Sequence, residues 1–101
     1  MLHITSRPID DNLTIVLEGR LDRNTAEDLD KKLSGALHGI NKITFDFKDL
    51  EYISSAGLRV ILAAQKKLRG DDSVIITGAS REIKDVFDVT GFSKILKITW
   101  I

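Results

Sequence analysis

The sequence contains no cysteine, a single proline and no excess of charge of either sign. Without cysteine the chain forms no disulfide and offers no thiol nucleophile, and metal sites built on thiolates are excluded. Its 15 lysines and arginines are balanced by 15 aspartates and glutamates, so the formal net charge is zero. Proteins that bind nucleic acid or an anionic membrane through phosphate contacts usually carry a basic excess. We therefore expect neither nucleic acid nor membrane as a partner.

Long apolar segments are missing as well. The sequence has no run of about 18 apolar residues, and it does not begin with a basic stretch followed by an apolar one. We therefore expect a cytoplasmic protein. The chain has 101 residues, of which 43% are hydrophobic and 30% charged. This size and composition are typical of one globular domain over residues 1–101, with a core that needs no disulfide.

Hydrophobic periodicity predicts strands and helices that alternate along the chain. Runs of β-branched and aliphatic residues predict strands at residues 2–6, 13–17, 43–47 and 73–77, and they predict that residues 95–100 form the last strand or a half-buried terminal segment. Apolar residues at helical spacing predict three helices, at about residues 26–37, 56–68 and 81–90. The order β-β-α-β-α-β-α-β, with an N-terminal hairpin, predicts an α/β domain whose mixed sheet is mainly parallel.

Local signals predict where these elements begin and end. Thr25 and Asp28 have the spacing of a capping box at the first helix, and Ser80 is expected to cap the third. Gly70 is expected to end the second helix. A polar connection is predicted between the strand that ends at Phe47 and that second helix.

Two adjacent serines, Ser54 and Ser55, stand directly before the second predicted helix. One interpretation is that either serine caps the helix, because the first backbone N–H groups of a helix lack partners. A second interpretation is a switch, since the positive end of a helix tolerates a phosphate. A phosphate adds a charge of about −1.5 to −2 that would block a docked partner. The residues by themselves leave both interpretations open.

The stretch DFKDLEYISSAGLRVIL, residues 46–62, resembles the signature of the STAS domain, which is found in sulfate transporters and in bacterial anti-sigma factor antagonists. Residues 19–22, Gly-Arg-Leu-Asp, are similar to a second motif of that family. The length and the order of elements match nearly end to end. The resemblance implies a single-domain, STAS-like α/β fold, and a chain of this length is similar to the anti-sigma factor antagonists.

The resemblance also implies a protein-interaction switch. The unphosphorylated antagonist binds an anti-sigma factor that is also a serine kinase, which uses ATP and Mg²⁺, and this binding releases the sigma factor. Phosphorylation breaks the complex, and a phosphatase returns the antagonist to its unphosphorylated, binding form. By position the phosphoacceptor is Ser55, with Ser54 as the less favoured alternative. The residues implied in partner binding are Gly19, Asp22, Ser54, Ala56, Gly57 and Arg59. The free chain is expected to be a monomer without cofactor or metal.

Two departures from the family pattern keep a second hypothesis open. Ser54 stands where the family often has aspartate, and Ala56 stands where it often has a second hydroxyl. The alternative function is a STAS binding or scaffold module that is not phosphorylated and works within a larger signalling or membrane-associated complex. A serine hydrolase is disfavoured, because the Gly-x-Ser-x-Gly elbow is missing and neither His3 nor His38 lies in an evident strand–helix loop. We expect the protein to have no catalytic activity of its own.

Overall fold

A computed structural model of the chain describes residues 1–68 and 73–101. In these two segments the elements follow one another in the order β-β-α-β-α-β-α-α-β. They are β1 (Leu2–Ile9), β2 (Asn12–Leu21), α1 (Ala26–Ala36), β3 (Lys42–Ile53), α2 (Ser55–Lys67), β4 (Val74–Thr77), α3 (Arg81–Val89), α4 (Phe92–Ile95) and β5 (Ile98–Trp100). The predicted α/β class is confirmed. The short helix α4 is an addition, because a segment of about one turn shows no helical periodicity in a sequence.

The strands form one sheet in the order β1-β2-β3-β4-β5. Strand β1 is antiparallel to β2, and the other neighbours are parallel, as the sequence predicted. Each parallel strand is added on the same side of the previous one, so right-handed crossovers carry the connecting helices across the same face of the sheet. Along β2 the residues that point to this face are buried, and those between them stay partly accessible to solvent.

The core lies between that face and the helices. Burying a large apolar side chain stabilises the fold by roughly 1.5–3 kcal/mol, so these contacts dominate the packing. At the far edge of the sheet Trp100 is half-buried and packs edge to face on Phe87, with ring centroids 5.0 Å apart. The largest fully buried side chains are Leu13, Ile15, Leu17, Leu21, Leu29, Ile43, Phe45, Phe47, Leu58, Ile61, Ile76 and Phe87.

Two strands run further than predicted, and this corrects the polar connection expected after Phe47. Strand β3 continues to Ile53, and β2 continues through Gly19 to Leu21. The two strands stay paired there, but the register shifts on either side of residues 18–19. A bulge interrupts the in-and-out alternation of side chains, so the sequence of a bulged strand is easily taken for a loop.

Both edge strands also differ from the prediction. Pro8 lies within β1 instead of ending it, because an edge strand leaves one side without ladder hydrogen bonds and tolerates proline. Strand β5 covers only Ile98–Trp100, since α4 occupies part of the segment predicted as strand. Gly70, which was predicted to end the second helix, lies outside the described residues.

Candidate functional site

The two sequence motifs meet at the carboxyl edge of the sheet. Leu21, at the end of β2, pairs with Ile53, at the end of β3. The next residue along β3, Ser54, donates its backbone N–H to the carbonyl oxygen of Leu21 at 2.9 Å. Asp22 follows Leu21 directly, so residues 19–22 and 54–57 lie side by side at this edge. Loops at this edge are where α/β domains usually carry their function.

The carboxylate of Asp22 holds the turn that leads into α1. Its Oδ1 accepts the backbone N–H of Asn24 at 3.0 Å and that of Thr25 at 2.9 Å. In return the backbone N–H of Asp22 donates to Thr25 Oγ1 at 2.9 Å. This reciprocal pair is a capping box one turn earlier than predicted, and Thr25 makes no side-chain cap at Ala26–Ala36. The predicted pairing of Thr25 with Asp28 was therefore wrong.

These hydrogen bonds also set the charge state of Asp22. The backbone N–H of Thr25, followed by the Thr25 hydroxyl and the N–H of Asn24, lowers the pKa of the Asp22 carboxyl below its ordinary value of 3.8. Partial desolvation opposes this shift without reversing it. The carboxylate is thus ionised at neutral pH and committed to the turn.

Ser54 is the residue that caps α2. Its backbone is extended, with φ −102° and ψ 170°, and its Oγ accepts the backbone N–H of Gly57 at 3.4 Å. The side chain is half-buried beside the strand ends. Capping by one of the two serines was predicted, and the structure assigns this task to Ser54.

Ser55 is the first residue of α2, and its side chain is exposed. Within residues 1–68 and 73–101 its hydroxyl makes no hydrogen bond. The first turn of α2 holds no acidic residue, whereas the first turns of α1 and α3 do. The hydroxyl is therefore unengaged, accessible and close to the positive end of a helix.

Gly57 is buried where α2 crosses the ends of β2 and β3. A Cβ atom at this position would lie 2.6 Å from Leu21 Cγ and 3.2 Å from Ile53 Cγ1. Only glycine lets the helix approach the strands so closely. The close packing of α2 against the strands explains why the motif has glycine at position 57. The neighbouring Ala56 is half-buried on the same turn.

Gly19 serves the backbone in a similar way. Its φ of +107° is a conformation that other residues adopt only with strain, and a Cβ there would overlap the carbonyl oxygen of Met1. That same oxygen accepts the backbone N–H of Arg20 at 3.2 Å. The glycine thus lets the start of β1 close against the end of β2.

Sequence reasoning missed a cation–π pair at this edge. The guanidinium of Arg20 lies over the ring of Tyr52, with Cζ 4.3 Å from the ring centroid. These two residues are neighbours only because the bulged register pairs them across β2 and β3. Arg and Tyr are frequent in binding surfaces, which is the one signal that could have pointed to them.

The predicted site residue Arg59 is exposed on α2.

Side chains that can ligate a metal are scattered among the described residues. Within them no group of three or more acidic or histidine side chains could hold a metal ion. His3 lies in β1 opposite Glu18, and His38 lies beyond the end of α1. Among the described helices, none is both long and apolar enough to cross a membrane.

Comparisons with known proteins agree on one family. The family profile described as "Mlab, STAS domain" matches residues 5–98. BtrV of Bordetella bronchiseptica, which is named provisionally as an anti-sigma factor antagonist, is 31% identical over 96% of this chain and 85% of its own length. The anti-sigma-B factor antagonist of Listeria monocytogenes is 31% identical over 87% of this chain and 79% of its own.

Solved structures carry the same fold. SpoIIAA, an anti-sigma factor antagonist from Bacillus, superposes in its unphosphorylated form with a TM-score of 0.79 at 20% identity, over 100% of this chain and 88% of SpoIIAA. Its phosphorylated form has a TM-score of 0.70, over 100% of this chain and 91% of SpoIIAA. At this identity the likeness establishes the fold. With the profile match and the two sequence relatives, it shows that the chain belongs to the STAS domain family.

Proposed function

We propose that the protein is an anti-sigma factor antagonist whose binding is switched by phosphorylation of Ser55. The unphosphorylated chain binds an anti-sigma factor that is also a serine kinase, and the sigma factor is thereby released. Phosphorylation ends this complex, and a phosphatase returns the chain to its binding form. The relatives named as antagonists support the class of partner. In this proposal the chain is a cytoplasmic, monomeric binding protein, and the partner performs the catalysis.

The observation that carries the proposal is the contrast between the two serines. The Oγ of Ser54 is occupied as the cap of α2, whereas the hydroxyl of Ser55 is exposed and unengaged within the described residues. A kinase needs an accessible hydroxyl that can approach the γ-phosphorus of ATP. Ser55 meets that need without loss of a structural hydrogen bond.

The chemical step places a phosphate on Ser55 Oγ. The Oγ–P bond forms while the bond from the γ-phosphorus to the β,γ-bridging oxygen of ATP breaks, which releases ADP. The hydroxyl proton passes to a base of the kinase, and Mg²⁺ arrives with the ATP. The product carries a charge of about −2 at the start of α2, where the helix dipole stabilises it.

The proposed docking surface is the carboxyl edge around Ser55. It includes the exposed side chains of Ser55 and Arg59 at the start of α2 and the turn held by Asp22, and it extends to the pair of Arg20 and Tyr52. Gly19 is half-buried and Gly57 is buried, so these two glycines shape the surface by allowing close packing beneath it. A phosphate at the centre of this surface adds bulk and charge that a partner fitted to a neutral hydroxyl must desolvate. In this proposal the phosphorylated chain therefore no longer forms the stable complex with its partner.

The direct test is phosphorylation in vitro. The full chain is incubated with Mg-ATP and an anti-sigma factor kinase from the same genome, and phosphate is mapped by mass spectrometry. We expect one phosphate on the wild type and on Ser54→Ala, and none on Ser55→Ala. Equal phosphorylation of the wild type and Ser55→Ala would overturn the assignment of the acceptor.

A second candidate function is a STAS scaffold module that is not phosphorylated. The residue that favours it is Ser54, a neutral side chain where the family pattern often has aspartate. Substitution Ser55→Asp separates the two functions. A switch loses affinity for the anti-sigma factor by tenfold or more, about 1.4 kcal/mol, whereas a passive scaffold binds its partner almost unchanged.

A further inference from the structure

A cation lies one helical turn after the proposed phosphoacceptor. Ser55 is the first residue of α2, and Arg59 follows four residues later on the same face of the helix. Both side chains are exposed. When an anionic side chain precedes a cationic one at this spacing, the pair has the favourable orientation for a helical ion pair.

Neither side chain is engaged elsewhere in the part of the chain that the structure describes. The hydroxyl of Ser55 makes no hydrogen bond there, and the guanidinium of Arg59 makes no ion pair. One ion pair within the described residues joins Lys31 and Glu27, on α1. Since the first turn of α2 contains no acidic residue, no carboxylate of that turn competes for Arg59.

We propose that Arg59 binds the phosphate of phosphorylated Ser55, so that the modification also withdraws this arginine from the docking surface. This inference rests on the proposed phosphorylation of Ser55. A guanidinium donates two parallel N–H groups to phosphate oxygens, which gives a stronger pair than a single point charge. In the unphosphorylated chain the same guanidinium is available to a carboxylate of the partner. Phosphorylation then exchanges a pair between two proteins for a pair within one helix.

The exchange explains how one phosphate can act decisively on an exposed surface. A phosphate alone weakens binding through its own bulk and its charge. If it also engages Arg59, the partner loses a cation and is left with a carboxylate to desolvate without a counter-charge. The two losses act together, because both follow from the same covalent change.

The experiment measures the ionisation of the phosphate itself. Phosphoserine is incorporated at position 55 during translation of the full chain, so no kinase is required. Phosphorus-31 NMR then follows the loss of the second phosphate proton, which occurs near about pH 6. The wild-type background is compared with Arg59→Gln and with Lys66→Gln. The latter is a matched control that removes an exposed cation from the last turn of the same helix.

We expect the titration midpoint of the wild-type phosphoprotein to lie about 0.3 pH unit below that of Arg59→Gln, the size of an exposed i, i+4 ion pair. The Lys66→Gln midpoint should match the wild type. Coincident midpoints for the wild type and Arg59→Gln, or an equal shift in Lys66→Gln, would overturn the proposal. Failure of the kinase to phosphorylate Ser55 would instead overturn the proposed function, and it would leave the titration of the incorporated phosphoserine unaffected. Circular dichroism of each phosphoprotein checks that it is folded.

Discussion

Ser54 donates its backbone N–H to the carbonyl oxygen of Leu21 across 2.9 Å, which joins the start of α2 to the end of β2. The two residues are 33 positions apart in the sequence, and this bond fixes the distance between the motifs that contain them. The side chain of Ser54 also caps the helix, so this residue has two structural tasks, whereas the side chain of Ser55 makes no hydrogen bond within the described residues. Substitution of Ser54 should therefore change the stability of the fold, and substitution of Ser55 should change the proposed switch.

The first prediction concerns the two serines. Ser54→Ala should lower the free energy of unfolding by about 0.5–1 kcal/mol, because the N–H of Gly57 loses its acceptor. Ser55→Ala should change it by less than about 0.5 kcal/mol, as expected for an exposed side chain without partners. Urea denaturation measures both values. Ser80→Ala is the matched control, since Ser80 Oγ caps α3 by accepting the N–H of Ile83 at 3.2 Å. Equal losses for Ser54→Ala and Ser55→Ala would contradict the assignment of the cap.

The second prediction uses two glycines that both lie in helices. Gly57→Ala should destabilise the protein by about 1–3 kcal/mol, because the new methyl group overlaps Leu21 at the crossing of α2. Gly35→Ala, in α1, should stabilise it by about 0.5–1 kcal/mol, since a Cβ there meets nothing within 4 Å. Thermal and urea denaturation show whether each substitution raises or lowers the free energy of unfolding. A stabilising effect at both positions would show that α2 does not depend on a close approach at Gly57.

The third prediction is a dependence on pH. Since folding lowers the pKa of Asp22, its ionised form stabilises the fold above the ordinary value of 3.8, and this contribution is lost as the pH falls through the folded-state pKa. Asp22→Asn keeps an oxygen acceptor but has no such dependence. The difference between wild type and Asp22→Asn in free energy of unfolding should therefore shrink below about pH 4.

The control for this experiment is Asp30→Asn. Asp30 is an exposed residue of α1 whose carboxylate has no hydrogen-bond partner among the described residues. This variant measures the effect on the free energy of unfolding of replacing a carboxylate that holds no turn. If the wild type and Asp22→Asn differed by a constant amount from neutral to acid pH, the capping role of the ionised carboxylate would be wrong.

The fourth prediction compares two glycines with positive φ. At Gly39, where φ is +75° and a Cβ meets nothing within 4 Å, alanine should cost about 1 kcal/mol of backbone strain. At Gly19 the same strain is joined by overlap with the carbonyl oxygen of Met1, so the loss should be clearly larger. Hydrogen exchange of the Arg20 amide, which donates to that oxygen, should be faster in Gly19→Ala than in Gly39→Ala. Unchanged exchange in both variants would contradict the close contact.

The sequence predicted the regular elements well, and it failed where strands are irregular. Helix α2 and the alternation of strands and helices follow from periodicity, which reports how each residue faces the core. The extension of β3 to Ile53 could not be read in this way, because bulges near Gly19 disturb the pairing with β2 and remove the alternating pattern. The contact of Arg20 with Tyr52 depends on that same register.

The sequence by itself determined the fold class, the order of the predicted elements and the pair of motifs that carries the family resemblance. Only the tertiary structure decided which serine is the cap and which hydroxyl has no partner among the described residues. It also decided that the carboxylate of Asp22 accepts hydrogen bonds from its own turn. The physical reason is that composition and periodicity describe one residue in its local backbone. A hydrogen bond such as the one from Ser54 to Leu21 depends on two strands meeting in one particular register.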